Sequence, residues 1–233
     1  MTLNLCQANH ETHDSKLVDT AYGPLWIWDW RSYMDQPLYC PGQDEVSKSI
    51  DLQGAWERAD TEFFRGVLEQ EQGPVADFGS HIGWFSTQAS RFECEVWAID
   101  SDPENARLWE MNMDLYDWAW EDYQRFQLGW AEDAMELPFD HLRIMKVDIE
   151  GHEHDALNLT RHLWQERRID YGLWELSPIF EKRPGIMAES YAALVDEIAS
   201  YGYRWFILKG DDRWYIEGTD LTFPQENGWV ERI

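Results

Sequence analysis

The sequence predicts an α/β chain, a doubly wound and mostly parallel sheet with helices on both faces, and three observations predict it. Short apolar runs alternate with helix-like segments from about residue 60 onward, as such a sheet requires. A glycine-bearing turn, Asp77-Phe78-Gly79-Ser80-His81-Ile82-Gly83, joins the first apolar run to a helix. An acid, Asp100, closes the next apolar run.

The elements follow in order. Residues 1 to 20 read as a loose polar arm, and Leu25-Trp26-Ile27-Trp28 and Pro37-Leu38-Tyr39 as short strands or a cap. This divides the chain into an arm and small cap, 1–50, and a main domain, 51–233. Asp60 to Gln70 places Phe63, Phe64, Val67 and Leu68 on one side of a helix, which Gly73-Pro74 ends. Val75 to Phe78 is a first buried strand, followed by a helix to about Phe92, and Glu95 to Asp100 is a second strand. Asp102-Pro103-Glu104 opens a helix that runs to about Tyr116: a capping acid, a proline in the first turn, then an acid that suits the helix dipole. Tyr123 to Leu128 and Leu142 to Asp148 read as the third and fourth strands, His154 to Arg167 as a helix and Tyr171 to Leu176 as the fifth strand. A long helix, Met187 to Tyr201, precedes a closing hairpin of Tyr203–Leu208 and Arg213–Glu217.

Composition bounds the function. At 233 residues and 44% hydrophobic, the chain can bury a full core. No run of about 18 apolar residues suggests a membrane span. Three cysteines, Cys6, Cys40 and Cys94, form no close pair, which argues against a disulfide framework and points to a reducing cytoplasm. The 45 acids outnumber the 19 Lys and Arg, for a net charge of −26, so direct binding to a nucleic-acid backbone is not expected. The same charge suits solubility, in a salty medium above all.

The turn at 77–83 is the candidate cofactor site. Its glycines allow a tight turn and close approach of a ligand to the backbone. Asp100 lies seventeen residues after Gly83 and can accept both hydroxyls of a ribose. The spacing Asp-x-Gly-x-x-x-Gly lacks the third close glycine of a dinucleotide fingerprint, and Asp77 stands where a pyrophosphate would be repelled. S-adenosylmethionine, with an ammonium, a sulfonium and no phosphate, suits this set better than NAD. Asp77, Gly79, Ser80, Gly83, Asp100 and Ser101 are the expected cofactor residues, joined by Glu132 or Asp133 after the third strand, where an adenine amine would find an acceptor.

The fourth strand ends in Lys146-Val147-Asp148-Ile149-Glu150-Gly151-His152-Glu153. Here the chain resembles the FkbM family of methyltransferases, whose signature is close to Lys-Ile-Asp-Val-Glu-Gly-x-Glu. Trp56-Glu57, Asp77–Gly83, Asp102-Pro103-Glu104-Asn105, Asn112 and Trp174-Glu175-Leu176-Ser177-Pro178 occur in the family's order, so the likeness covers about Leu52 to Pro178. The chain departs from the family at Gly79-Ser80-His81 and at Asp100-Ser101-Asp102, which leaves either Asp100 or Asp102 to hold a ribose. The resemblance implies a Rossmann-like class I methyltransferase with a seven-stranded sheet, one strand antiparallel. It also implies methylation of a hydroxyl on a sugar or similar polar molecule from S-adenosylmethionine.

A neutral hydroxyl is a poor nucleophile and gains from a general base. Asp148, Glu150 and His152 are the candidates, histidine having a suitable intrinsic pKa. Glu153 also lies there, and reads better as a cap on backbone amides. A divalent metal held by Asp148 and Glu175 is a second use of the same acids, though not the expected one. Trp26, Trp28, Trp30, Trp118 and Trp120 are candidate stacking surfaces for a glycan acceptor. The competing readings are a nicotinamide-dependent oxidoreductase and a non-catalytic relative. The oligomeric state is left open.

Overall fold

The computed structural model describes residues 14–30, 44–116, 124–129, 137–176, 189–209, 212–216 and 227–233. An antiparallel hairpin of β1 (Ser15–Thr20) and β2 (Gly23–Trp28) comes first, then α1 (Glu45–Gln53) and α2 (Arg58–Gln70). The alternating part follows as β3 (Val75–Phe78), α3 (Trp84–Ser90), β4 (Val96–Asp100), α4 (Pro103–Asp114) and β5 (Gln124–Leu128). Next come β6 (Leu142–Val147), α5 (Glu153–Gln165), β7 (Ile169–Glu175) and α6 (Glu189–Ser200). The chain closes with β8 (Tyr203–Lys209), β9 (Asp212–Tyr215) and β10 (Asn227–Arg232).

The sheet order is β5-β4-β3-β6-β7-β10-β8-β9. β5, β4, β3, β6 and β7 are parallel, whereas β10 inserts antiparallel between β7 and β8. The first seven strands of that order carry the expected Rossmann-like pattern with its one antiparallel member. β9 adds an eighth strand, antiparallel at the edge, where the hairpin after α6 lies against β8. Within this sheet, β10 is the strand that periodicity did not find. Its sequence Asn-Gly-Trp-Val-Glu-Arg has no apolar run, yet Trp229 and Val230 are fully buried.

β3, β4 and β6 are buried along nearly their whole length, which explains the continuous apolar runs, whereas β5 at the sheet edge is half-exposed. The pleat sends alternate residues to two cores. On β3, Val75 joins the cluster under α1 to α4, and Ala76 and Phe78 join the cluster under α5 and α6. Each fully buried large side chain, such as Phe64 in the first core or Trp164 in the second, contributes about 1.5–3 kcal/mol.

The stretch read as a loose arm ends, in its described part, in strand β1. Its register pairs Leu17 with Trp26 and Val18 with Leu25, and Leu25, Ile27 and Ile50 are among the buried residues of the first core. Asn112 on α4 fastens this hairpin: its side chain accepts from Trp26 N at 2.5 Å and donates to Trp26 O and Ile82 O. Asp102 caps α4 as expected, accepting from Glu104 N at 2.8 Å, with Pro103 in the first turn. Pro37-Leu38-Tyr39, Trp118, Trp120, Tyr123, Glu132, Asp133 and Ser177-Pro178 lie outside the described residues. No helix among the described residues is long and apolar enough to cross a membrane.

Candidate active site

Parallel strands all deliver their last residues to one end of the sheet, and a cleft of about 680 Å³ opens there. Gly79 sets its floor. The residue has φ +74°, and a Cβ built on it would lie 1.7 Å from the carbonyl oxygen of Asp148. Only glycine lets the turn after β3 press against the turn after β6. Gly79 N and Ser80 N both donate to Ile99 O, at 2.9 and 3.1 Å, tying the turn to β4. His81 N then donates to Asp100 Oδ2 at 2.8 Å. Asp100 Oδ1 accepts from Asp102 N at 2.9 Å and from Asn105 Nδ2 at 3.3 Å. Three donors thus fix the Asp100 carboxylate at the cleft wall, with Ser101 exposed beside it.

Three of the expected cofactor residues, Asp77, Ser80 and Gly83, are not among those that line the cleft. Gly83 has φ +85°, and a Cβ there would meet Trp109 Cδ1 at 2.7 Å, so this glycine lets α3 approach α4. Asp77 is fully buried and accepts from Ser86 Oγ at 2.6 Å. Burial pushes its carboxyl up, and Lys146 opposes that. Asp77 and Lys146 are register partners on β3 and β6. The Lys146 ammonium donates to Gly79 O at 2.7 Å and lies 3.3 Å from Asp148 Oδ2 and 3.7 Å from Asp77 Oδ1. Burial pulls this ammonium down, but Asp148, Asp77 and Glu57 outweigh it and raise its pKa. A single buried cation therefore joins the turn after β3 to the acids after β6.

Among the described residues, the wall of the cleft carries eight carboxylates and neither lysine nor arginine. Asp148 and Glu175 face each other from the ends of adjacent strands. Burial raises the Asp148 carboxyl, but Lys146 and the hydrogen bond with Glu175 outweigh it and hold the group ionised. Glu175 is pushed up to about 10 by burial and by the Asp148 charge, so the proton they share sits on Glu175 and Glu175 donates. Glu57 opens α2 in a left-handed conformation, φ 38° and ψ 62°. Burial, then Asp60 and Asp148, push its carboxyl up to about 8. Glu150 is exposed at φ +58°, and one oxygen from each of Asp148, Glu150 and Glu175 lies within 4.8 Å of the others. That triad has the ligand chemistry of a hard divalent cation.

His152 lines the same cleft at the start of α5, with Nδ1 3.1 Å from Asp155 Oδ2. A histidine held by a carboxylate is a base already oriented. Glu153 is buried and accepts from Gly151 N at 3.1 Å, the capping role expected of it. Asp148, Glu150, His152, Glu175, Gly79, Asp100 and Ser101 thus share one cleft, whereas Asp77, Ser80 and Gly83 are not part of its lining. Trp26, Trp28 and Trp30 do not line it, and among the described residues the indole that does is Trp56. Trp28 is buried, with Arg107 stacked over its ring at 5.3 Å.

Sequence reasoning gave no role to Asp44, Glu57 or Asp155. Asp155 was legible in principle, because i and i+3 share a helix face. Asp44 and Glu57 reach the cleft only through the packing of α1 and α2 on the sheet.

No protein-family model matches the sequence, and no curated protein matches it. Solved structures do match. A protein assigned as a caffeoyl-CoA O-methyltransferase from Staphylococcus aureus superposes with a TM-score of 0.52 at 13% identity, covering 87% of this chain and 96% of that one. A protein assigned as an O-methyltransferase from Klebsiella pneumoniae gives 0.51 at 11% identity, covering 87% and 94%. The chain has the class I methyltransferase fold. In that fold the cleft described above occupies the strand ends, where ligands of open α/β sheets bind.

Proposed function

We propose that this chain is an S-adenosylmethionine-dependent O-methyltransferase of FkbM type, acting on a hydroxyl of a sugar, glycan or similar polar small molecule. The observation that carries the reading is the convergence of a Gly79 cradle, a fixed Asp100 carboxylate and an oriented His152 on one cleft. The residues fit S-adenosylmethionine. Asp100 presents a carboxylate for ribose hydroxyls, and the close-pressed turn at Gly79 leaves room for a ligand over the backbone. Ser80 Oγ, His81 Nδ1 and Asp44 Oδ2 are buried with no hydrogen-bond partner among the described residues. A wall of eight carboxylates with no lysine or arginine among the described residues favours a cationic cofactor over the pyrophosphate of NAD.

The cofactor supplies a methyl group already activated on a sulfonium, so the protein's work is positioning and proton removal. His152, held by Asp155, takes the proton from the acceptor hydroxyl, an effect worth about 10²–10⁴ in rate. Asp148 and Glu175, a carboxylate and a carboxylic acid side by side, offer an acceptor and a donor to the other hydroxyls of a polyol. The same wall disfavours phosphorylated or carboxylated acceptors, and the net charge of −26 disfavours free nucleic acid.

The triad of Asp148, Glu150 and Glu175 favours one second reading, in which a divalent cation held there lowers the pKa of the acceptor hydroxyl. One experiment tests both. The protein is incubated with methyl-labelled S-adenosylmethionine and a panel of neutral sugars and glycans, with EDTA or with added Mg²⁺. A labelled methyl ether that survives mild alkali supports O-methylation. Its equal formation in EDTA removes the metal reading. Label that only ever appears on amines or as base-labile esters contradicts the hydroxyl acceptor.

A further inference from the structure

Asp44 stands out among the cleft acids. It is the N-cap of α1, and its Oδ1 accepts from Val46 N at 3.0 Å. Its side chain is 6% exposed, so it has left water almost completely. Oδ2 is buried and has no hydrogen-bond partner among the described residues, although the residue lines the cleft. A buried carboxylate oxygen left without a donor is costly, and the cleft is where its donor can come from.

The neighbours indicate what kind of donor. His81 Nε2 lies 3.6 Å from Asp44 Oδ1, while His81 N donates to Asp100 Oδ2. One residue of the turn after β3, held at φ +50°, therefore links the carboxylate suited to a ribose with a second carboxylate of the same cleft. His81 Nδ1 is also buried without a hydrogen-bond partner among the described residues. An orphaned acid beside an orphaned imidazole nitrogen matches the zwitterionic end of an amino acid, with its ammonium and carboxylate.

We propose that Asp44 receives the α-ammonium at the methionyl end of the bound cofactor, with His81 holding the carboxylate in place. The inference rests on the S-adenosylmethionine reading above and adds a second anchor, contributed by the N-cap of α1 and linked to Asp100 through His81. It also accounts for the capping of α1 by aspartate at this position: one oxygen caps the helix and the other is left for the ligand.

The test uses two ligands that share the adenosyl thioether but differ at that end. S-adenosylhomocysteine carries the amino acid, and 5′-methylthioadenosine lacks it. Calorimetric titration of both is run on the wild type and on Asp44→Asn, which keeps a good N-cap. A ligand-free melting curve verifies that the variant folds. Asp44→Ser, which keeps the cap and removes the second oxygen, is the second variant. The expected result is a loss of about 10–100-fold in affinity for S-adenosylhomocysteine, the value of a hydrogen bond to a charged group. Affinity for 5′-methylthioadenosine stays unchanged. An equal loss for both ligands would assign Asp44 to the ribose or to folding, and no loss for either would remove it from the site. Either outcome overturns the proposal. If the folded wild type binds neither ligand, the cofactor reading itself fails, a result that the variants cannot mimic.

Discussion

The two ends of the parallel strands are built on opposite principles. At the amino-terminal end, Asp170 of β7 is met by Arg143 at 3.0 Å, Arg232 at 2.8 Å and His141 at 3.2 Å. Arg143 also donates to Glu71 O and Val67 O, which ties the end of α2 to the sheet. Two arginines there meet the one buried acid. At the carboxyl end the acids crowd together around one buried lysine, Asp44 Oδ2, Ser80 Oγ, His81 Nδ1 and Glu175 Oε2 are buried with no hydrogen-bond partner among the described residues, and Glu57, His81 and Glu150 are held at positive φ. A stable fold gains nothing from such crowding, because buried charge without compensation is expensive. The contrast separates an end that holds the sheet together from an end that awaits a ligand.

Predictions can break this contrast from either side. The largest effect on folding is expected for Arg143→Met at the amino-terminal end. It removes a buried, multiply bonded charge and should cost about 3–5 kcal/mol, read by chemical denaturation. Binding of S-adenosylhomocysteine by the folded fraction should not change. A loss of binding equal to the loss of stability would mean that the two ends are not separable.

His152→Ala at the carboxyl end should do the reverse. The rate of methyl transfer should fall by about 10²–10⁴-fold, while stability moves by less than about 0.5 kcal/mol. Unchanged turnover would remove His152 as the base and leave Asp148 or Glu150.

The smallest expected effect sharpens the contrast through pH. Glu175 has its carboxyl raised to about 10, so folding takes up a proton wherever the unfolded chain has released it. Stability from this group is full below the ordinary carboxylate pKa of about 4.5 and declines as pH rises from there towards 10. Glu175→Gln, neutral throughout and still able to donate to Asp148, should match the wild type near pH 4. At pH 8 it should melt higher by about 2–4 °C, a gain on the order of 1 kcal/mol. Parallel melting curves across that range would show that the pair does not share a proton.

Much of this was readable from residues alone. The apolar runs at 75–78, 96–100 and 142–147 are strands because both faces of a parallel sheet are covered, and burial on both faces leaves a continuous apolar signal. The turn at Gly79 and the acid at Asp100 were legible because local chemistry fixes them: a left-handed turn needs glycine, and a strand end presents its next side chain to the cleft. β10 was not legible. Its identity as a strand depends on insertion between β7 and β8, and Asn227-Gly228 reads locally as a turn. The placement of Asp77 and Gly83 outside the cleft lining was not legible for a related reason. Motif spacing locates the turn but not which side of it a side chain takes, and Lys146 and Trp109 decide that from other elements. Asp44 depends on α1 packing over the sheet, a contact with no signature in the sequence.

The most direct test of the central claim, that the carboxyl end binds S-adenosylmethionine, is thermal unfolding with S-adenosylhomocysteine. It is run on the wild type and Asp100→Ala, with NAD⁺ as the control. At about 100 times the dissociation constant the ligand should add about 2.7 kcal/mol and raise the midpoint by several degrees. Asp100→Ala should abolish that rise, and NAD⁺ should produce none. A folded wild type that ignores S-adenosylhomocysteine, or responds only to NAD⁺, would contradict the account.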